Sequence, residues 1–483
     1  MPGRINIKTA GLYLGPILFF VYLSLPPPGG MEPAASKTLA VTLLMITWWI
    51  TEAIPIAATS LLPVVLFPVL GVIPVQEASS PYANPLIFLF LGGFIIASAM
   101  QRWDLHRRIA LRIIVFAGIK PLSIIKGFIA ASAFLSMWVS NTATAMMMLP
   151  IAVSVLHLSA KEGMGSQPVR NFEIALVLSI AYSCSIGGLA TLIGTPPNAL
   201  FAAFMLENYG IEVSFARWIL IGFPLVVILL PLMYFILTRI VFPVNLKELP
   251  GGKALIQEKA AGLGRITRPE KRVSMVFGIT ACLWIFRPFL VKILPGLSDS
   301  VIAVAGALFL FITPSGTGSG ERLLSWPDLK GLPWGILLLF GGGLSLATAI
   351  TSSGLAVYIG DLLKVIGSAN MFILILAVVL VTIFFTEITS NTALASAFLP
   401  ILASMATGLG QNPMLFALPA AIAASCAFML PVATPPNAIV YGTGRVTIYQ
   451  MAKGGLWLNL IFSIAITLAH YFLFARVFGI EIL

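Results

Sequence analysis

The tetrapeptide Ser140-Asn141-Thr142-Ala143 returns as Ser390-Asn391-Thr392-Ala393, 250 residues later (390 − 140). Two further pairs keep the same order around it: LGGFIIASAM at 91–100 against FGGGLSLATAI at 340–350, and GTPPNA at 194–199 against ATPPNA at 433–438. Three ordered matches at nearly constant spacing identify an internal duplication, so the fold depends on how two copies are arranged.

Composition sets the medium. Of 483 residues, 59% are hydrophobic and 9% charged, against roughly a quarter charged in a soluble domain, which places the chain in a bilayer. Uncharged stretches at 38–51, 78–101, 174–206, 218–238, 331–360 and 365–386 recur at the length of helices that cross about 30 Å of hydrocarbon. Several leave room for an irregular piece. Arg4 and Lys8 precede an apolar run from Ala10 to Leu25, and three prolines follow without an A-x-A cleavage pattern. Residues 1–30 therefore read as a retained first transmembrane helix, not a secretory signal. The net charge of +11 lies in short loops between apolar spans, where positive-inside retention accounts for it, and no nucleic-acid partner is expected. Cys184, Cys282 and Cys426 are far apart in apolar sequence and make neither a disulfide framework nor a metal cluster.

Charge also orients the two copies. After the first Gly-rich segment come Arg102, Arg107, Arg108, Arg112, Lys120 and Lys126 against Asp104 alone, whereas the equivalent stretch 353–370 has only Asp361 and Lys364. The first linker is thus expected in the cytoplasm and the second outside, which makes the halves inverted. Four crossings, at about 9–25, 37–56, 58–75 and 84–101, return the N-terminus to the cytoplasmic side with Arg107. The basic loop carrying Lys247, Lys253, Lys259, Arg265, Arg268 and Lys271 falls on that side too, and the loop near Glu207 and Glu212 on the other. These sides are met if each SNT segment enters and leaves on one side, as a re-entrant hairpin. The expected organisation is repeat 1 at 31–245 (hairpin 121–158, broken helix 172–207), a cytoplasmic loop at 246–272, and repeat 2 at 273–483 (hairpin 369–406, broken helix 414–442). About 11 transmembrane helices result, all-α, and inverted repeats with interrupted helices describe a secondary transporter. The basic, intermittently apolar stretch 102–120 suits an interfacial helix, with an ordinary loop as the alternative.

Ser140, Asn141 and Thr142, like Ser390, Asn391 and Thr392, are residue types that cap a helix N-terminus, so each hairpin's second arm would aim unpaired N–H groups at the tip and favour an anion there. At Thr195-Pro196-Pro197 and Thr434-Pro435-Pro436 a helix cannot continue, and a new one starts with proline at its first position. Thr195 is expected to cap the second half, and the carbonyls around Gly194 are left free for a cation; Thr434 follows suit. Four N-termini would then converge on one cavity suited to a substrate with two anionic ends. Residues 127–160, 174–206 and 388–444 contain no Lys, Arg, Asp or Glu. Without a fixed cation, a dianion needs cations bound beside it, and oxygen ligands without an acidic relay favour sodium over protons.

Paired SNT motifs, paired TPPN breaks and WWITEAIP at 48–55 resemble the divalent anion/sodium symporter family, which includes sodium-coupled dicarboxylate and citrate carriers, over nearly the whole chain. The resemblance implies symport of sodium with a C4 dicarboxylate such as succinate, malate or fumarate. It implies a first sodium site around Ser136, Val139, Asn141 and Gly194 and a second around Thr386, Thr389, Asn391 and Ala433. Substrate carboxylates would meet the SNT and TPP positions, namely Ser140, Asn141, Thr142, Thr195 and Pro196 with Ser390, Asn391, Thr392, Thr434 and Pro435. It also implies an elevator-type homodimer with fixed scaffold domains and moving transport domains.

Glu387 either braces the hairpin or biases the second cation site, and Glu52 reads as structural. His106, His157 and His470 are separated by whole spans and do not suggest a metal site. Met146, Met147 and Met148 read as packing. No nucleophile with a base and no paired carboxylates stand in the site region, so an enzyme is not expected. A sodium-independent dicarboxylate exchanger, and citrate or sulfate as cargo, remain open alternatives. The expected location is a plasma membrane, the inner membrane of a bacterium.

Overall fold

In the computed structural model, residues 7–118, 120–163, 166–246, 258, 261–318, 320–363 and 370–481 are described. About half of the expected loop at 246–272 lies outside them, as do Lys247, Lys253, Lys259 and Lys364.

The described residues are helical, the one extended pairing being an isolated bridge between Pro314 and Arg322. The helices are α1 (Ile7–Ser24), α2 (Pro33–Thr51), α3 (Ile56–Thr59), α4 (Leu62–Val69), α5 (Val75–Ser79), α6 (Pro85–Arg102), α7 (Leu105–Ala117), α8 (Pro121–Ser136), α9 (Asn141–Gly163), α10 (Gln167–Gly188), α11 (Pro196–Tyr209) and α12 (Phe215–Phe235). They continue as α13 (Arg268–Leu290), α14 (Asp299–Ile312), α15 (Trp334–Ser352), α16 (Leu355–Leu363), α17 (Met371–Thr386), α18 (Asn391–Gly408), α19 (Met414–Ala423), α20 (Pro435–Tyr441), α21 (Ile448–Ala469) and α22 (Ala475–Phe478). Among the described residues, eight helical stretches are long and apolar enough to cross a bilayer singly, and the shorter apolar helices include both arms of the first expected hairpin and the first arm of the second. The protein is a multi-pass membrane protein.

Two expectations need correcting. The crossing expected at 58–75 is two short helices, α3 and α4. Pro55 starts the first, and Pro63 and Pro68 lie in the second, so one uninterrupted hydrogen-bond ladder is impossible. The helix expected at 37–56 ends at Thr51, where Glu52 takes a left-handed conformation (φ 47°). Its carboxylate, half exposed, pairs with Lys8 at 3.1 Å. The stretch 102–120, by contrast, holds the helix α7, set off from α6 by Asp104 at φ 53° and ended by Gly118 at φ 105°.

Polar contacts fix helix directions. Asn84, before α6, donates to Glu207 at the end of α11 (2.9 Å), and Arg102, at the other end of α6, pairs with Asp328. Helix α15 runs the opposite way, from just after Asp328 to Thr351, which donates to Asn208 at 3.4 Å. Helix α12 starts at the Asn84 end, where the Phe215 N–H donates to Asp299 and Arg287 bridges Asp299 and Glu212. Near its far end Tyr234 carries the Lys126 ammonium of α8 over its ring, so α8 starts at the Arg102 end. Asn171 of α10 reaches the Pro243 carbonyl, past the end of α12, and Glu173 pairs with Arg445 just before α21. Helix α21 therefore ends at the Asn84 end, and there Tyr471 meets Phe372 at the start of α17. Helices α8 and α17 thus enter from opposite ends. A close approach holds α6 to α14: a Cβ on Gly92 would lie 2.6 Å from the Ala303 carbonyl carbon.

Helix α7 is locked by a buried ion pair. Arg108 meets both carboxylate oxygens of Glu270 (2.8 and 3.0 Å) and donates to the carbonyls of Leu263 and Gly264. Glu270 also closes a capping box with Thr267 at the start of α13. Arg108→Met would strand a buried carboxylate at a cost of about 3–5 kcal/mol. A clear drop in melting temperature in detergent is expected, largely recovered in Arg108→Met/Glu270→Met.

Candidate functional site

Both SNT segments lie where one helix stops and another starts: α8 ends at Ser136 and α9 begins at Asn141, while α17 ends at Thr386 and α18 begins at Asn391. The turn is closed in the same way twice. Ser136 Oγ donates to Asn141 Oδ1 at 2.5 Å, and Thr386 Oγ1 to Asn391 Oδ1 at 2.7 Å. Each tip thereby gathers a hydroxyl and an amide oxygen, the hard donors that a sodium ion takes. In the first half a Cβ on Gly188 would lie 2.9 Å from both Asn141 Oδ1 and the Gly194 carbonyl oxygen, so these three residues crowd one spot. In the second half Thr386 Oγ1 also reaches the Ala424 carbonyl at 2.7 Å. Val139, between Ser136 and Asn141, and Ala433, just before Thr434, are buried, and the Thr389 hydroxyl turns back to the Phe385 carbonyl. Among the described residues, no side-chain hydrogen bond joins Thr389 or Ala433 to Asn391.

The TPPN segments break helices as proline requires. Helix α10 stops at Gly188 and α11 starts at Pro196; α19 stops at Ala423 and α20 starts at Pro435. Each interruption is closed by the motif's asparagine, fully buried in both halves. Asn198 Nδ2 donates to the carbonyls of Gly188 (3.1 Å) and Thr191 (2.8 Å). Asn437 Nδ2 donates to Ala427 and Leu430, both at 3.1 Å. Orphan carbonyls at a helix end must find donors when water is excluded, and one amide supplies two.

The capping pattern differs from expectation. Ser140 accepts from the Ala143 N–H and Thr434 from the Asn437 N–H, both at 3.3 Å, as N-caps should. Ser390 and Thr195 hold N-cap positions without a side-chain cap. The Thr195 hydroxyl instead meets Ser425 Oγ at 3.1 Å, bridging the two interrupted helices. Helix α9 packs against α20, and α11 against α18, so hairpin arms of one half lie on helix halves of the other. Thr142, Thr392, Pro196 and Pro435 occupy the first turns of these four helices.

Glu387 lies in the second tip, 3% exposed. Its carboxylate accepts from the N–H groups of Phe428 (2.6 Å), Met429 (2.9 Å) and Leu430 (3.0 Å) and from Asn459 Nδ2 (2.8 Å). It braces the hairpin against the interruption between α19 and α20. Tyr182 of α10 donates to the Phe428 carbonyl at 2.7 Å from the other side. The first half makes the corresponding tie differently: Thr191 Oγ1 donates to the Met137 carbonyl at 2.6 Å. Asn198 and Asn437 were visible in the sequence as repeated motif letters. Ser425 was not, because its counterpart at an offset of 239 residues is Ile186.

Residues 8–479 match the family described as the sodium:sulfate symporter transmembrane region. The chain is 46% identical over 482 residues to the sodium-dependent dicarboxylate transporter SdcS of Staphylococcus saprophyticus, covering 98% of this chain and 93% of that protein. It is 45% identical, with the same coverage, to the protein of that name from Staphylococcus aureus strain USA300. Of solved structures, the Alcanivorax borkumensis YdaH transporter aligns with a TM-score of 0.57 at 15% identity, over 90% of this chain and 98% of that one. Neisseria gonorrhoeae MtrF aligns with a TM-score of 0.57 at 13% identity, over 97% and 94%. At these identities the two structures bear on the fold alone.

Two substitutions test how the breaks are held. Asn437→Asp replaces a double donor with a carboxylate facing two carbonyls, and a loss of about 3 kcal/mol or more is expected in detergent unfolding. Glu387→Gln keeps the shape but removes the charge from bonds to three N–H groups, each charge-assisted bond being worth about 1.5–3 kcal/mol. Lower thermal stability is expected; a melting temperature equal to that of the parent would mean the brace does not depend on the charge.

Proposed function

The chain belongs to the sodium:sulfate symporter family, and we propose that it is a secondary active transporter that couples sodium entry to uptake of a C4 dicarboxylate such as succinate, malate or fumarate. The observation that carries this is the pair of oxygen clusters, Ser136 with Asn141 and Thr386 with Asn391, at helix N-termini in segments with no Lys or Arg. Helix ends contribute roughly 1–2 kcal/mol each toward an anion, less than the several kcal/mol per charge that burial costs. Cations bound at the two clusters supply the difference. Sodium dependence in the names of relatives 45–46% identical over 98% of the chain supports the same reading.

In this proposal Ser136, Val139, Asn141 and Gly194 hold one sodium ion, and Thr386, Thr389, Asn391 and Ala433 a second. Ser140, Thr142, Thr195, Pro196, Ser390, Thr392, Thr434 and Pro435, with both asparagines, surround the carboxylates. Two inverted repeats, with the boundaries read from the sequence, are supported by the opposed directions of α6 and α15 and by the entry of α8 and α17 from opposite ends. The Arg102 end, with its exposed Arg107, Arg112, Lys120 and Lys126, is assigned to the cytoplasm together with the N-terminus. Elevator motion of a hairpin-bearing transport domain within a homodimer completes the proposal.

Purified protein in empty liposomes should accumulate radiolabelled succinate under an inward sodium gradient and not under potassium at equal ionic strength. Uptake that ignores sodium and needs dicarboxylate inside would replace symport by exchange. Asn141→Ala and Asn391→Ala should each lower sodium-driven uptake about 10- to 100-fold, the value of one ion-assisted contact. Near-parental uptake in both would sink the site assignment.

A further inference from the structure

We propose that the cleft between α7 and the loop Leu263–Gly264 binds the headgroup of an anionic phospholipid. This rests on the chain lying in a membrane and not on which anion it carries. The cleft has a volume of about 360 Å³ and is lined by Arg108, Leu111, Arg112, Val115, Phe116 and the loop. The charge of Arg108 is already matched by Glu270, so Arg108 is a wall of the cleft. Arg112, one turn on, is exposed and makes no ion pair among the described residues. Arg107 and Arg265 are exposed as well and add to the positive field.

One turn beyond Arg112 the face becomes apolar. Phe116 is 94% exposed and Val115 41% exposed, on a helix whose residues Leu105, Ala110 and Ile114 are buried in the protein. The helix lies against α8, an apolar arm starting at Pro121, and in this proposal the exposed Phe116 ring faces the acyl chains. A cation beside an exposed aromatic ring on one helix face matches a phosphate joined to acyl chains. Each basic residue near an anionic surface is worth about a factor of five in affinity.

The full chain in detergent, titrated in native mass spectrometry with dioleoyl-phosphatidylglycerol or dioleoyl-phosphatidylcholine, tests this. The parent should hold the anionic lipid more tightly, and Arg112→Gln should lower that affinity about fivefold. Arg112→Lys should recover most of it, which separates charge loss from misfolding. Phe116→Gln should weaken binding, and glycerol phosphate without acyl chains should not displace the lipid. Lys330→Gln, an exposed cation that does not line the cleft, should leave binding unchanged. Equal affinity of parent and Arg112→Gln, equal binding of the two lipids, or the same loss in Lys330→Gln would each overturn the site.

Discussion

A helix interrupted inside a membrane protein exposes carbonyls and N–H groups that no water meets, and every other feature of the centre follows from pairing them. Each unpaired group costs several kcal/mol in a hydrocarbon-like interior. The chain pairs them from within its own motifs. Asn198 and Asn437 close the two interruptions from the carbonyl side, each with both amide hydrogens committed. That commitment fixes the rotamers, because an amide oxygen facing a carbonyl would repel it. The proline ahead of each asparagine starts the next helix without needing a donor. A TPPN motif is thus a compact device at a helix break, with the proline starting the next ladder and the asparagine settling the orphans of the last.

The two interruptions are unequal, and the inequality explains Glu387. In the first half the gap spans residues 189–195; in the second it spans 424–434, which leaves more donors without helical partners. A single hydroxyl, Thr191, ties the shorter gap to its hairpin tip. The longer gap presents three consecutive N–H groups, from Phe428 to Leu430, and a carboxylate is the side chain able to accept all of them at once. With Asn459 as a fourth donor the charge is solvated by the protein. Pseudo-symmetry therefore holds for the breaks and the tips but not for the braces. Met137 stands where Glu387 stands in the other half, and there the tie comes from its main chain.

The parts of this arrangement governed by local rules were legible in the sequence. Proline after a threonine starts a new helix, a Ser-Asn-Thr run marks a helix start, and the helices beginning at Asn141, Pro196, Asn391 and Pro435 begin at those repeated motifs. In the proposed transporter the polarity of the halves is assigned from where Arg and Lys lie. What stayed hidden depends on residues distant in the chain. The Thr195 hydroxyl leaves its own helix for Ser425, 230 residues away, and no periodicity announces a partner with no counterpart in the repeat. The split of the third crossing into α3 and α4 follows from Pro55, Pro63 and Pro68, whose effect the length of the apolar run conceals.

Absence of a fixed cation has a further consequence for the proposed transporter. An arginine in the site would hold a dicarboxylate whether or not sodium was present, and anion and sodium could then cross separately. Neutral helix ends hold a dianion poorly, and amide and hydroxyl oxygens hold sodium weakly when no anion is near. Each makes the other's binding favourable, and by linkage the coupling free energy is the same in both directions. Tight coupling of two gradients then needs no gate that senses occupancy, because the half-loaded states are the electrostatically costly ones. The brace at Glu387 fits that logic: its charge is fully spent on backbone donors, so it steadies the second tip without serving as a standing counter-ion that would hold sodium alone.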